Sequence, residues 1–292
     1  MLVAIYNRNF SVENVPAIQT LFDELRKIDA DVIVHSALVE KFRTVIEMPA
    51  RYQVFDAQQK LPAETDVLIS LGGDGTILDA VTHVVHHNIP ILGINLGRLG
   101  FLANVSANEI AEAVASLVNE AYTKDVRTLL QLHCKKELFD EAPFAINDFT
   151  IQRKDSSQLI KIHTYLNGEF MCTYWSDGLI VSTPTGSTGY SLSCGGPVLM
   201  PQATSFVVTP VAPHNLNVRP LVVPDSSIIS FEIEGRAKDY LCTLDARAAV
   251  IDTTFSIAIS KSNYTVSLLR LEGHNFPNTI RQKLLWGVDR RN

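Results

Sequence analysis

Residues 67–71, Val-Leu-Ile-Ser-Leu, run straight into Gly72-Gly73-Asp74-Gly75-Thr76, and apolar side chains return at helical spacing over residues 77–85. An apolar run of strand length, a glycine turn and an amphipathic helix, in that order, place the turn at the carboxyl edge of a parallel sheet, where such sheets bind ligands. The same rhythm surrounds it. Residues 2–6 read as a strand and residues 15–28 as a helix through Ile18, Leu21, Phe22 and Leu25, and residues 32–34 and 91–94 add further strands, with Gly and Pro at the breaks. Ser106 and Glu109 have the spacing of a capping box, which opens a helix running to about Asn119. The first half is therefore expected to be an α/β, Rossmann-like domain with a parallel sheet.

After Asp125 the pattern becomes alternating. Ile160, Ile162, Thr164 and Leu166 alternate into Asn167-Gly168, and Phe170, Cys172 and Tyr174 alternate out again, which makes a hairpin. Ile229, Phe231 and Ile233 alternate with polar residues, and residues 255–259 and 265–269 read as two more strands, so this half is expected to be mainly β. Helical spacing returns over residues 279–286 through Ile280, Leu284 and Leu285, and this helix is expected to pack back on the first domain. With 292 residues, 46% of them hydrophobic, the chain can fill two cores. The expected divisions are 1–125, 126–270 and a tail over 271–292.

Charge and composition narrow the function. Twenty-five Lys and Arg against 31 Asp and Glu leave a formal charge of -6, which offers nucleic acid no counterion-release surface. No apolar stretch approaches the roughly 18 residues of a membrane-spanning helix, and Met-Leu-Val-Ala-Ile-Tyr turning polar at Asn7 and Arg8 is not a targeting leader, so the expected address is cytoplasmic. Cys134, Cys172, Cys194 and Cys242 are too scattered for a zinc site and read as free buried thiols. His83 and His87 stand four apart on a predicted helix without the glutamate or third ligand of a metal motif, and read as a solvated helix face.

In the glycine loop, Gly73 and Gly75 lack the Cβ atoms that would hold an anion away from main-chain amides, the following helix offers free N–H groups to phosphate, and the Asp74 carboxylate could meet a hydroxyl. Neither a Walker A loop nor a dinucleotide fingerprint is present, because the required lysine and third glycine are missing. A second glycine loop, residues 93–101, follows the next strand, and its Phe101 either faces a base or fills an apolar core. In residues 183–193, Thr-Pro-Thr-Gly-Ser-Thr-Gly-Tyr-Ser-Leu-Ser, seven of eleven side chains carry a hydroxyl, a density suited to many ligand oxygens and nitrogens. The order G-x-S-x-G is absent, which removes a serine hydrolase. Asn147-Asp148 and Asp177-Gly178 put an amide and two carboxylates at strand ends, as partners for vicinal sugar hydroxyls or as turn residues.

Taken together these segments, with Gly97-Arg98-Leu99-Gly100-Phe101-Leu102 and the tail Lys283-Leu284-Leu285-Trp286-Gly287, resemble the NAD kinases of the bacterial type, in the same order and over nearly the whole chain. The resemblance implies phosphorylation of the adenosine ribose 2′-hydroxyl of NAD to give NADP. It implies that Asp74 accepts the hydroxyl proton, that Asn147 and Asp148 hold the acceptor ribose, that Thr185, Thr188, Gly189, Tyr190, Ser191, Leu192 and Ser193 line the dinucleotide pocket, and that Asp177 helps seat the nicotinamide half. The implied donor is ATP, another nucleoside triphosphate or polyphosphate, with Mg²⁺ or another divalent cation. A homotetramer is also implied, in which a neighbouring chain completes the site through the segment holding Ala212.

The chain departs from the family pattern at three places. Trp175 stands where many bacterial members have Arg, Asp245-Ala246-Arg247 replaces a frequent Asp-Gly-Gln, which puts the contacts of Arg247 in question, and Gly189 replaces a more frequent alanine. Two alternatives share part of the pattern. Lipid kinases of the diacylglycerol and sphingosine type also carry Gly-Gly-Asp-Gly-Thr, but the hydroxyl-rich segment lacks a lipid tail's apolar lining. A non-catalytic NAD(H)-sensing module would have no need of Asp74.

Overall fold

The computed structural model describes residues 1–8, 11–56, 59–140, 142–154 and 159–287. The chain divides into two compact units, residues 1–126 with 266–292 and residues 127–265.

The first unit opens with β1 (Leu2–Tyr6), α1 (Val15–Lys27), β2 (Asp31–His35), α2 (Ser36–Phe42), β3 (Gln53–Phe55), β4 (Val67–Leu71), α3 (Asp74–Val84), β5 (Ile91–Asn95), β6 (Val105–Ser106) and α4 (Ile110–Val118). Strands β1 to β6 pair in parallel, with β1 between β2 and β4 and with β5 on the far side of β4. Every residue of β4 and β5 is buried, as a sheet covered on both faces requires. The buried stripe of α1 is Ile18, Leu21, Phe22 and Leu25, the four positions its sequence period selects. The capping box forms, with the Ser106 amide donating to Glu109 Oε2 at 2.7 Å. Strand order reverses between β1 and β4, so the crevice of this sheet opens beside the loop after β4.

The chain leaves this unit along β7 (Tyr122–Cys134), and the second unit contains β8 (Phe144–Ala145), β9 (Asp148–Arg153), β10 (Ile160–Leu166), β11 (Glu169–Ser176), β12 (Gly178–Ser182), the single turn α5 (Tyr190–Ser193), β13 (Ser205–Val211), β14 (Leu221–Pro224), β15 (Ile229–Glu234), β16 (Tyr240–Leu244) and β17 (Arg247–Ile251). One antiparallel sheet runs β14-β13-β12-β9-β16-β17, and a second pairs β11, β10 and β15. Phe149 of one sheet stacks on Phe231 of the other, with ring centroids 5.8 Å apart, in the apolar core between them. The chain returns along β18 (Ile257–Leu271) and ends in α6 (Phe276–Leu284), which belongs to the first unit. The α/β first domain, the β-rich second and the returning helix agree with the sequence expectation of fold.

Three details differ from it. The two strands expected over 255–259 and 265–269 are one, because β18 continues through polar residues 260–265, whose side chains break the apolar alternation while the backbone stays extended. His83 is half-buried in a ring cluster with Tyr6, His35 and Phe55, at centroid distances of 5.1, 5.5 and 5.4 Å, so it does not sit on a solvated face. All four cysteines are free, but only Cys242 is fully buried. No described helix is long and apolar enough to cross a membrane.

Candidate active site

The first glycine turn is shaped by its own backbone. Gly72 sits at φ +150°, and a Cβ there would stand 2.3 Å from Thr76 Oγ1. Gly73 is the extended N-cap of α3 and Asp74 is that helix's first residue, so the carboxylate lies against the positive end of the helix. Asn7, just past β1 and buried, donates through Nδ2 to the Leu71 carbonyl at 2.6 Å and ties the two strand ends together.

Asp74 joins the two glycine loops. Its Oδ2 accepts the Phe101 amide at 2.8 Å, and its Oδ1 accepts the Leu102 and Ala103 amides, each at 3.0 Å. A carboxylate has about four acceptor positions. Three are engaged, two on Oδ1 and one on Oδ2, so the remaining lone pair is on Oδ2. Phe101 itself is partly exposed, with its ring 6.5 Å from that of Phe276 in α6.

In the second unit, strand register gathers another group. Strand β9 pairs with both β12 and β16, setting Asp148 opposite Ser182 and Phe149 opposite Leu244, so Asn147, Asp148, the end of β12 and Asp245 share one end of the sheet. Asp148 is only 8% exposed and no described residue donates to its carboxylate; Asn147 Oδ1 is also buried without a partner. Burial first, then the neighbouring Asp245 charge, pushes Asp148 up to about 7. Asp177 lies at the opposite end of β9, about 17 Å away along the strand, where Arg153 holds it at 2.8 Å. Tyr190 lies within electrostatic reach of both ends: burial raises its hydroxyl, followed by Cys194, Asp177 and Asp148.

The hydroxyl-rich segment is more internal than its composition suggests. Thr183, Ser187 and Ser191 are fully buried: Thr183 donates to the Ile146 carbonyl, Ser187 to the Pro184 carbonyl at 2.7 Å, and Ser191 pairs with Thr209 at 2.8 Å. Thr185 Oγ1 accepts from the buried Arg127 at 2.9 Å, and Thr188 bonds back to the Thr185 carbonyl at 3.3 Å. These hydroxyls fold the loop, and Gly189, Tyr190, Leu192 and Ser193 keep partial or full exposure. A Cβ on Gly189 would lie 3.9 Å from Asn147 Nδ2 and 4.0 Å from Asp148 Oδ2, so residue 189 borders both side chains.

The three remaining candidates stand elsewhere in this unit. Trp175 is 44% exposed on strand β11, with Lys161 Nζ 5.4 Å from its ring centroid. Ala212 is exposed and holds φ +44°, a strained value for a residue with a Cβ. The Arg247 guanidinium donates to the carbonyls of Ala142 and Phe144 and so braces the segment that leads to Asn147.

Residues 8–122 match the model of the ATP-NAD kinase N-terminal domain, and residues 146–271 match that of the ATP-NAD kinase C-terminal domain. The NAD kinase of Cytophaga hutchinsonii is 43% identical over the full length of both chains, and that of Flavobacterium psychrophilum is likewise 43% identical over both full lengths. The chain belongs to the NAD kinase family. Among solved structures, yeast NADH kinase complexed with NADH superposes with a TM-score of 0.87 at 25% identity, covering 99% of this chain and 88% of that one. An NAD kinase from Archaeoglobus fulgidus shares the fold, with a TM-score of 0.70 at 24% identity over 93% and 94% of the two chains.

Local sequence patterns do not single out three residues that brace the candidate site. Asn7 reads only as evidence against a leader, Arg153 carries no motif, and Asp245 enters only as part of a departing one. Each acts through a partner distant in sequence, at separations of 64, 24 and about 98 residues, which no local pattern signals.

Proposed function

We propose that this protein transfers the terminal phosphoryl group of ATP to the adenosine ribose 2′-hydroxyl of NAD, giving NADP and ADP. The observation that carries the reading is Asp74, held at the carboxyl edge of β4 by three amides of the second glycine loop with one Oδ2 lone pair remaining. As the 2′-oxygen bonds to phosphorus and the bond to ADP breaks, the hydroxyl proton passes to Oδ2. Phosphoryl transfer through a loose transition state asks mainly for alignment and charge neutralisation. Gly73, Gly75 and the uncapped first turn of α3 supply amides for the triphosphate.

Asn147 Oδ1 and the Asp148 carboxylate are two acceptors without donors, which suits the hydroxyls of the acceptor ribose. Asp177, at the far end of the same strand, then seats the nicotinamide half, and Tyr190 with Gly189, Leu192 and Ser193 borders the path between. We place the dinucleotide on the β-rich second domain for this reason. Among the described residues no three His, Cys, Asp or Glu side chains converge, so the side chains build no cage for a divalent cation. A divalent cation carried in by the triphosphate would neutralise phosphate charge. We take the working form to be a cytoplasmic homotetramer, as the family resemblance implies, with the segment that holds the exposed, strained Ala212 and the 90% exposed Leu216 meeting a neighbouring chain.

The test is an assay matrix on the purified chain with Mg²⁺, crossing NAD and NADH with ATP, other triphosphates and polyphosphate, and including diacylglycerol and sphingosine as acceptors. NADP formed from NAD and ATP is expected. No phosphorylated dinucleotide with any donor, or a phosphorylated lipid instead, overturns the reading.

A further inference from the structure

Asp245 occupies the turn between β16 and β17 at φ +52°, a left-handed value that an aspartate tolerates. The β9–β16 ladder ends at Phe149 opposite Leu244, and beyond that point the Asp245 side chain does the pairing. Its Oδ2 accepts the Ile146 amide at 3.0 Å, and its Oδ1 accepts the amides of Asn147 at 2.8 Å and Asp148 at 3.1 Å. Its own amide donates to the Asp148 carbonyl at 2.9 Å. Four hydrogen bonds thus join one residue to a three-residue segment, and this segment carries the two donorless acceptors.

The local donors are distributed unequally. Three amides converge on Asp245 and none reaches the Asp148 carboxylate beside it. Arg247, a cation within electrostatic reach of Asp245, is engaged with the carbonyls of Ala142 and Phe144, and from α5 the other titratable group near Asp148 is Tyr190, which is neutral at physiological pH. An anion sited this way fixes the main chain of its neighbour and leaves that neighbour short of positive charge.

We infer that Asp245 is a positioning residue for the acceptor ribose: it seats the Asn147-Asp148 main chain, and its charge makes Asp148 a strong acceptor for a ribose hydroxyl donor. This rests on the assignment of Asn147 and Asp148 to the ribose. Burial raises both carboxyls, Asp245 to about 6 and Asp148, beside the Asp245 charge, to about 7, so Asp148 is the one that titrates near neutrality, and its ionised form binds NAD. The affinity for NAD therefore rises as pH increases through that range, whereas the affinity for ATP does not follow it.

The experiment is the pH dependence, from pH 5.5 to 8.5, of kcat/KM for NAD and of KM for ATP, in the wild type, Asp148→Asn and Asp245→Asn, with Tm measured on each. In the wild type kcat/KM for NAD should fall on the acid side of an inflection near pH 7, and in Asp148→Asn that inflection should vanish. Asp245→Asn should raise KM for NAD at least tenfold, leave KM for ATP within twofold, and move the inflection to acid by at least one pH unit. A purely structural role would lower Tm without moving the inflection. A flat wild-type profile overturns the inference, as does a folded Asp245→Asn protein with an unmoved profile. Should Asp245→Asn not fold, the wild-type and Asp148→Asn profiles decide the matter. A wild type that forms no NADP at any pH defeats the proposed function itself, which is a separate outcome.

Discussion

Gly100 and Asp74 approach so closely that a Cβ on Gly100 would stand 1.8 Å from Asp74 Oδ1. The atoms concerned are backbone on one side and an engaged carboxylate on the other, so neither yields without breaking the clasp between the two glycine loops. Gly100→Ala is expected to lower kcat for NADP formation at least tenfold while Tm falls only modestly, because the clash is confined to the loops. Wild-type turnover in Gly100→Ala would show that the clasp is irrelevant to catalysis.

Replacing Asp74 by Asn has two consequences. The proton-acceptor role predicts that Asp74→Asn keeps NAD binding and loses turnover. The three amides add a structural cost, because an Asn side chain has one acceptor oxygen and its NH₂ must then face a main-chain N–H. Losing a charge-assisted contact of this kind costs about 2 kcal/mol. The variant should be nearly inactive, should still bind NAD in a direct titration, and should melt earlier than the wild type. Residual activity above a tenth of wild type would remove Asp74 as proton acceptor.

Acid should weaken the first domain through His83. Burial, and then the proximity of His35, lowers its pKa from 6.5 to about 4. The folded state therefore disfavours the protonated ring, so the stabilisation is present above the unfolded pKa and is lost as pH falls from about 6.5 toward 4. By pH 5 the loss is about 2 kcal/mol. His83→Gln should narrow the difference in Tm between pH 7 and pH 5; an unchanged difference would refute this account.

The return of the chain end is secured by a buried ion pair. Arg270 Nε lies 2.5 Å from Asp125 Oδ2, the carboxylate buried and the arginine side chain largely so. Arg270→Met takes this guanidinium away from a buried carboxylate and should destabilise by about 3 kcal/mol. Lys27→Met, which removes an exposed pair with Glu24, should cost roughly 0.5 kcal/mol or less. Equal losses in chemical denaturation would contradict this ranking.

Features made by neighbours along the chain are legible in the sequence itself. The stripe of α1, the capping box at Ser106 and the hairpin at Asn167-Gly168 each depend on a repeat or turn shorter than about ten residues, and each stands where its pattern puts it. Strand β18 is legible only in part, because its polar middle has no alternation to read. Composition misleads at residues 183–193, where a run of hydroxyls reads the same whether they face a ligand or, like Ser187 and Ser191, bond within the fold.

The sequence by itself determined the α/β and β halves, the order of the motifs and the family, since all three are encoded along the chain in periodicity and spacing. Only the tertiary structure decided where each polar group finds its partner: that Asp74 holds a loop 27 residues further on, that Asp245 seats residues nearly a hundred positions earlier, and that Asp148 has no donor among the described residues. Hydrogen bonds act over about 3 Å in space and carry no trace of how far apart along the chain their ends lie.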